Sequence, residues 1–275
     1  CAAYLKEHKD AVLVFWDSEF GTPREYFENF GIDMTRVVHI PVTDIEELNQ
    51  SAAKILSEAK REEKIIMMID SVGNLASRKE VDDAQDGKVV VDMTRAKRLK
   101  SLFRIITPKL TVLDIPLIAI NHTYQTLEMF SKAVVSGGTG IMYSADDCWI
   151  IGRRQEKNTK GLMGYNFIIN IEKSRKVQEK SQIPITVLFD GGIQQWSGLT
   201  DVAEKMGWLT KTAPGKFALV DQETGEVGEA ISQKKLAVDG EFWKPLLANQ
   251  KFRKDMTSLY TLAEGGLMQG FEAND

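Results

Sequence analysis

The feature that most constrains the fold is a run of apolar residues without polar alternation, VLVFW at 12–16. A strand of this kind is buried on both faces, as in a parallel sheet that helices cover on both sides. Four further segments have the same character: VVHI at 37–40, IIMMID at 65–70, PLIAIN at 116–121 and CWIIG at 148–152. The sequence therefore predicts a mostly parallel sheet.

Amphipathic helical patterns lie between several of these segments. In the first, Asp44 precedes Glu47 by three residues, the spacing of a capping box. The apolar stripe of this helix comprises Ile45, Leu48, Ile55, Leu56 and Ala59. The second pattern begins at Asp92, and its apolar stripe comprises Ala96, Leu99, Leu102, Phe103 and Ile106. Strands that alternate with helices indicate an α/β fold, in which ligands bind beyond the carboxyl ends of the strands.

Acidic residues follow two of the predicted strands. DSE at 17–19 comes directly after the first apolar run, and Asp70 ends IIMMID. We expect the carboxylates of DSE to project into a binding crevice, where two acidic strand ends form a site for a metal ion and water. The segment IIMMIDS also has the form of a Walker B strand, whose aspartate holds Mg²⁺ beside a nucleotide phosphate. The alternative is that Asp17 or Asp70 only caps the turn that follows its strand.

Composition excludes few classes of function. Cys1 and Cys148 provide neither a disulfide framework nor a metal-ligand spacing, which suits a reducing compartment. No apolar run approaches the roughly 20 residues of a membrane-spanning helix, and no signal peptide is visible. We therefore expect a cytoplasmic protein. A net charge of −4 argues only weakly against nucleic-acid binding, because a local basic strip can act within an acidic protein.

Such a basic strip is present on the second helix. Lys97, Lys100 and Arg104 follow each other at i, i+3 and i+7, opposite the apolar stripe. A solvated helix face and a nucleic-acid contact both explain this spacing. The segment before the helix, residues 76–88, is polar and is predicted to be a flexible loop.

A series of short segments carries a resemblance to a known family. In order along the chain they are DSEF, IDSVGNLAS, DMTRAK, KSLFRI, INHTY, EMFSK, GGTG, MYSAD, EKSR and FDGGI. In these segments the chain resembles the RecA family of DNA recombinases, and within it the phage recombinases of the UvsX type. The resemblance extends over nearly the whole chain. It implies a RecA-like P-loop NTPase core and a DNA-dependent ATPase with ATP and Mg²⁺ as cofactors.

The resemblance also implies roles for residues around the nucleotide. Glu19 would activate the water that attacks the γ-phosphate, and Asp70, with Ser71 beside it, would serve Mg²⁺. His122 stands where cellular RecA proteins have a glutamine that senses the γ-phosphate and signals to the DNA-binding loop. Tyr26 would stack on adenine, although packing on the next helix explains it equally well. Lys173 and Arg175 would reach the ATP of the neighbouring subunit in a filament.

The resemblance implies that three elements bind DNA. They are the basic stripe, a first loop at 76–88 and a second loop within 120–140. Aromatic and apolar side chains that insert between bases, together with glycine amides at phosphates, bind single strands without reading their sequence. The expected DNA-binding residues are Lys97, Lys100, Arg104, Thr123, Tyr124, Leu127, Met129, Phe130, Lys132, Gly137, Gly138 and Thr139.

The implied function is an ATP-dependent recombinase that forms filaments on single-stranded DNA and exchanges strands with a homologous duplex in recombination and repair. Its expected partners are both DNA substrates, further copies of itself, a single-strand-binding protein and a loading mediator, but no membrane. If the gene belongs to a phage, the bacterial host cytoplasm is the expected location. The alternative is a non-catalytic RecA-like module that binds DNA or partners, and Glu19 argues against it. A RecA-core helicase would lack the EMF loop followed by GGTG.

One element of the family's pattern is missing. No GxxxxGK[ST] motif occurs in the 275 residues, and the resemblance implies that this phosphate-binding loop should lie just before Cys1. CAAYLKE would then be the end of the helix after that loop. We expect the chain to be a fragment of a longer recombinase that also lacks the amino-terminal docking segment, and to bind ATP poorly by itself.

The predicted domain organisation has three parts. Residues 1–197 form the truncated RecA-like core, 198–265 a small α+β carboxyl-terminal domain, and 266–275 an acidic tail. The small domain is expected to contain a helix, a hairpin and a terminal helical pair. The predicted core of that pair comprises Phe242, Trp243, Leu246 and Leu247. The small domain as a whole resembles the domain that follows the RecA core and helps to admit duplex DNA.

Overall fold

The computed structural model describes residues 1–88, 94–126, 133–158 and 161–262, and the chain divides into two units, Cys1–Ala145 and Asp146–Asp275. The helices are α1 (Ala2–Glu7), α2 (Arg24–Asn29), α3 (Ile45–Glu58), α4 (Arg78–Gln85), α5 (Thr94–Leu113), α6 (Gly140–Ser144), α7 (Leu199–Lys205), α8 (Gln233–Leu236), α9 (Gly240–Ala248) and α10 (Gln250–Ser258), with a 3₁₀ turn at Met34–Arg36. The strands are β1 (Val12–Asp17), β2 (Val37–Pro41), β3 (Ile65–Asp70), β4 (Leu117–Ala119), β5 (Thr123–Gln125), β6 (Ala133–Val135), β7 (Cys148–Asn158), β8 (Gly161–Lys173), β9 (Gln182–Leu188), β10 (Gly192–Ile193), β11 (Leu209–Ala213), β12 (Lys216–Leu219) and β13 (Ile231–Ser232).

The first unit contains a parallel sheet in the order β2-β1-β3-β4. Apolar side chains of β1 alternate between two cores, with Val14 and Trp16 on one face and Leu13 and Phe15 on the other. The predicted parallel sheet flanked by helices is therefore confirmed. Burial on both faces holds for the central strands β1 and β3. The edge strands β2 and β4 are covered less completely and leave apolar side chains such as Val38 exposed.

The fifth predicted strand, CWIIG, lies in a different kind of sheet, so its assignment to the buried parallel class was wrong. It opens β7, which belongs to an antiparallel sheet in the order β10-β9-β8-β7. Trp149 is 57% exposed and Ile151 58% exposed, whereas Ile150 between them is partly buried. An antiparallel sheet can leave one face uncovered, and five apolar residues are too few to distinguish the two cases.

The two predicted helices of the first unit are present and pack against the same face of the sheet. Asp44 caps α3 by accepting from the Glu47 N–H at 2.7 Å, while the Glu47 carboxylate accepts from the Thr43 N–H at 2.8 Å. The capping box thus reaches one residue further back than predicted. On α5 the predicted stripe is buried except for Ala96, which is exposed because it lies one turn before the buried stretch.

The predicted flexible loop at 76–88 contains a helix instead, α4. Ser77 accepts from the Glu80 N–H at 3.1 Å and so caps its first turn, and Lys79 pairs with Asp83 one turn later. No residue of α4 is buried. Local capping and an ion pair therefore form this helix without an apolar stripe, which is why its composition indicated a loop.

The second unit contains the antiparallel sheet of β7 to β10 and, after it, a smaller part with its own core. That core surrounds Trp208, Phe217, Trp243 and Phe252. Of the predicted core residues only Trp243 is fully buried, and its indole N–H donates to the Leu236 carbonyl at 2.7 Å. Phe242, Leu246 and Leu247 pack against this core and are partly exposed. The boundary at 197/198 stays a prediction. Within the described ranges, no helix combines the length and the apolar character needed to cross a bilayer.

Candidate functional site

The candidate site begins where the central strands β1 and β3 end side by side. Asp17 pairs in register with Asp70, the last residue of each strand. Beyond them, the Ser18 hydroxyl donates to the Ser71 carbonyl at 2.7 Å and accepts from the Ser71 N–H at 2.9 Å. The Ser18 side chain thus joins the two chain segments directly after the last paired residues of β1 and β3. The position of Glu19, the next residue, is therefore fixed relative to β3.

Glu19 contacts residues from two other strand ends. Its Oε1 accepts a hydrogen bond from the Ser71 hydroxyl at 2.7 Å and lies 3.6 Å from Nε2 of His122. The Glu19 side chain remains 37% exposed, so a small molecule can approach it. The structure thus brings together three predicted site residues that are far apart in sequence.

Asp70 lies in a negatively charged and partly buried position. Burial raises the pKa of the Asp70 carboxyl above its ordinary value, the charges of Glu19 and Asp17 raise it further, and His122 opposes the change. Among the described residues, no group of three or more His, Cys, Asp and Glu side chains is arranged to hold a metal ion. Carboxylate and hydroxyl oxygens of this kind fit Mg²⁺, which commonly binds proteins through one or two carboxylates, water and substrate phosphates.

The carboxylate of Asp17 is buried at the base of the turn and is not open to solvent like that of Glu19. Asp17 is only 2% exposed, and its Oδ1 accepts from the N–H groups of Glu19 and Phe20 at 3.0 and 2.8 Å. Its Oδ2 lies 3.0 Å from Nε2 of His39 on β2. Asp17 thus caps the turn that follows its strand, and this carboxylate shapes the turn that carries Glu19.

A groove lies beside this turn. It has a volume of about 550 Å³ and is lined by Asp17, Phe20, Gly21, Thr22, Pro23, His39 and Pro41. Tyr26 follows on α2 and is 56% exposed, with its ring against Phe30 at a centroid distance of 5.3 Å. The neighbouring Phe27, by contrast, is buried. The exposed face of Tyr26 can accept a planar ring, and both explanations given for this residue stay open.

His122 links the site to a hairpin. Its carbonyl accepts from the Ser136 N–H at 2.9 Å, directly after β6, and β5 begins at the next residue, Thr123. Thr123 and Tyr124 are exposed on the antiparallel hairpin of β5 and β6. The predicted DNA-binding residues Leu127, Met129, Phe130 and Lys132 lie outside the described residues.

The basic stripe of α5 and the glycine-rich segment after β6 lie together. Lys97, Lys100 and Arg104 are exposed. A Cβ added at Gly140 would come within 3.0 Å of Cγ of Lys100, and one at Gly137 within 2.5 Å of Cδ1 of Leu99. The segment therefore lies so close to α5 that a side chain at either glycine would displace these atoms. Gly138 and Thr139 are exposed beside this contact.

Lys173 and Arg175 belong to the second unit. Lys173 is the last residue of β8, and Arg175 follows it, with its Nε 3.1 Å from Oδ1 of Asp146. Both members of this ion pair are largely exposed. The guanidinium is thus held at the surface of its own unit.

Three residues that position the site escaped prediction. They are Ser18, which joins the strand ends; His39, which contacts Asp17; and Arg95, whose guanidinium contacts the loop after β3. His39 gave a weak signal as a polar residue within an apolar strand. Ser18 and Arg95 act on backbone groups, which no side-chain pattern reveals.

Comparison with known proteins identifies the family of the chain. The family described as "Bacteriophage T4, Recombination and repair protein, C-terminal domain" matches residues 196–256. The recombination and repair protein of Enterobacteria phage T4 is 49% identical over 265 residues, which cover 95% of this chain and 68% of that protein. The chain belongs to the family of UvsX-type phage recombination and repair proteins.

Proposed function

We propose that the chain acts as a DNA-dependent ATPase that assembles on single-stranded DNA and pairs it with a homologous duplex. The observation that carries this proposal is the position of Glu19, which contacts Ser71 and lies near His122 at the ends of parallel strands. A module that only binds DNA has no need for a half-exposed carboxylate held in this way. Family membership supports the same conclusion.

Glu19 is the residue we propose to activate the attacking water. The Ser71 hydroxyl occupies Oε1, so Oε2 is left to accept a proton from a water molecule. A general base has to lie within hydrogen-bonding distance of that water and must be held in place. The N–H groups of Glu19 and Phe20 donate to the Asp17 carboxylate, and these bonds hold the turn that carries Glu19 in place.

Asp70 and Ser71 are the residues we propose to face Mg²⁺ and the phosphates. The raised pKa of Asp70 beside two other carboxylates indicates a place where a cation would relieve repulsion. When bound, Mg²⁺ supplies positive charge to the phosphate oxygens. We propose that His122, whose Nε2 lies 3.6 Å from Oε1 of Glu19, donates to a phosphate oxygen in either protonation state.

We propose that single-stranded DNA runs along α5 and the hairpin. The exposed cations Lys97, Lys100 and Arg104 supply charge for the phosphates, and the Lys100 stem contacts the glycine-rich segment that follows the hairpin. Tyr124, exposed on the hairpin, would supply an aromatic ring for a base. The contributions of Gly137, Gly138 and Thr139, and of Met129, Phe130 and Lys132, stay predictions of the sequence.

The remaining assignments are proposals that follow from family membership. Lys173 and Arg175 would contact ATP bound by a neighbouring copy in a helical filament. A single-strand-binding protein and a loading mediator would assist, in the host cytoplasm. Because the 275 residues contain no GxxxxGK[ST] motif, we propose that they bind ATP weakly by themselves.

The test is Glu19→Gln, with Glu62→Gln as an exposed control, in the complete product of the gene. We expect ATP hydrolysis stimulated by single-stranded DNA to fall by about 10²- to 10⁴-fold, the usual contribution of a general base. Binding of single-stranded DNA should persist, because Glu19 is not on the DNA surface. Hydrolysis at the unmodified rate would exclude Glu19 as the base. DNA binding without any hydrolysis by the unmodified protein would favour the non-catalytic module.

A further inference from the structure

Arg95 connects two segments that the proposed function treats separately. It lies in the first turn of α5 and is half-buried. Its Nη2 donates to the carbonyl oxygens of Val72 and Gly73 at 3.0 and 2.8 Å, and its Nε donates to that of Leu75 at 2.8 Å. Three carbonyls of the loop after β3 therefore converge on one guanidinium, which fixes the path of that loop.

The same guanidinium also reaches the hairpin. Its Nη1 donates to the Ser136 hydroxyl at 3.3 Å. Ser136 in turn binds the strand end that carries His122, since its N–H donates to the His122 carbonyl at 2.9 Å and its carbonyl accepts from the Asn121 amide at 2.8 Å. One side of the His122 backbone is thus tied to Arg95 through Ser136.

The imidazole of His122 is confined from the other side. A Cβ added at Gly73 would lie 2.7 Å from Cγ and 2.8 Å from Nδ1 of His122. The Gly73 backbone therefore touches the ring, and the Gly73 carbonyl is one of those that Arg95 holds. Arg95 thus fixes both the backbone segment against the ring and the segment bonded to the His122 main chain.

We propose that Arg95 is a positioning residue that sets the place of His122 between Glu19 and the hairpin, and so couples the nucleotide site to the DNA-binding segment. The coupling half of this inference rests on the proposed function, whereas the positioning half does not. A lysine at this position keeps the charge but cannot donate in several fixed directions at once.

The positioning half is tested by the imidazole NMR signals of the three histidines, His8, His39 and His122. In Arg95→Lys, and more weakly in Ser136→Ala, the His122 signal should shift while those of His8 and His39 stay in place. The matched control is Arg98→Lys on the same helix, where Arg98 forms an ion pair with Glu46 at 3.1 Å. An unshifted His122 signal in Arg95→Lys would overturn the proposal. If Arg95→Lys fails to fold, an unshifted His122 signal in Ser136→Ala would overturn it instead.

The coupling half is tested in the complete gene product by the affinity for single-stranded DNA with and without ATP. Coupling between two sites commonly corresponds to about 5- to 150-fold in affinity. We expect Arg95→Lys to bring the ATP-dependent gain close to one, while the affinity without ATP and the KM for ATP change little. A retained gain would overturn the coupling. No gain in the unmodified protein would instead contradict the proposed function, and the NMR result would still decide the positioning.

Discussion

Ser18 and Ser71 are bonded to each other twice, since the Ser18 hydroxyl both donates to the Ser71 carbonyl and accepts from the Ser71 N–H. Both residues are buried. This reciprocal pair lies between the strand that leads to Glu19 and the strand that ends at Asp70. The spacing of the two acidic residues is therefore controlled by a neutral side chain.

Replacement of Ser18 by alanine should destabilise the protein. The change leaves the buried N–H and carbonyl of Ser71 without these partners, and an unsatisfied buried polar group costs about 1–3 kcal/mol. Urea unfolding of Ser18→Ala measures the loss. The control is Ser57→Ala, which removes only an exposed bond to the Lys54 carbonyl. A loss below about 0.5 kcal/mol, as for ordinary surface changes, would contradict the proposed role of the pair.

Asp70→Asn should make the unliganded protein more stable at neutral pH. Because the pKa of Asp70 is raised above its ordinary value of 3.8, the folded state binds the proton more tightly than the unfolded state does. Stability from this group is therefore present below pH 3.8 and is lost as the pH rises through the folded pKa. Melting temperatures should favour Asp70→Asn at pH 7 and converge with those of the unmodified protein as the pH falls below 3.8.

Asp221 offers a control of opposite sign. The N–H groups of Thr224 and Glu223 lower the pKa of its carboxyl, so its ionised form is favoured in the folded state. Asp221→Asn should thus lower the melting temperature at pH 7. Destabilisation by Asp70→Asn at pH 7 would contradict the idea that burial and like charge disfavour this carboxylate.

Each cation of the basic stripe should contribute to the salt dependence of DNA binding. Replacing Lys97, Lys100 or Arg104 by glutamine removes one phosphate contact, so the slope of log affinity against log salt should fall by about 1. Lys109→Gln is the matched control, because Lys109 is exposed on the same helix but outside the stripe. Titration of fluorescent single-stranded DNA at several salt concentrations provides the slopes. Equal slopes for all four variants would place the DNA elsewhere.

The two explanations for Tyr26 can be separated kinetically. If its ring stacks on adenine, Tyr26→Ala should raise the KM for ATP by about 2- to 10-fold, because aromatic pairs contribute about 0.5–1.5 kcal/mol. Tyr26→Phe should preserve the KM, and kcat should change in neither variant. An unchanged KM together with a lower melting temperature would show that Tyr26 only packs against Phe30.

Sequence patterns predicted the parts of the fold that repeat regularly. The central strands β1 and β3 were found because contiguous apolar residues end in an acid, and α3 because its cap and its stripe agree. The helix α4 was missed because it has no apolar stripe. CWIIG was assigned to the wrong sheet because a short apolar run has the same composition in both kinds of sheet.

Only part of the candidate site could be predicted from the sequence. Glu19, Ser71 and His122 could be named, and the structure brings them together. The capping role of Asp17 depends on backbone N–H groups and on His39, which is 22 positions away. Arg95 binds mainly carbonyl oxygens, which every residue possesses. Contacts of this kind follow from the path of the chain, and residue identity gives no sign of them.

Gly73 has no functional side chain, yet a substitution at this position should disturb the candidate site. Its bare α-carbon is what leaves room for the imidazole of His122. One extra methyl there would displace the ring without altering any charge, donor or acceptor. In a survey of substitutions across the chain, changes at Gly73 should thus reduce activity as strongly as changes at the chemically active side chains. The reason in this case is purely steric.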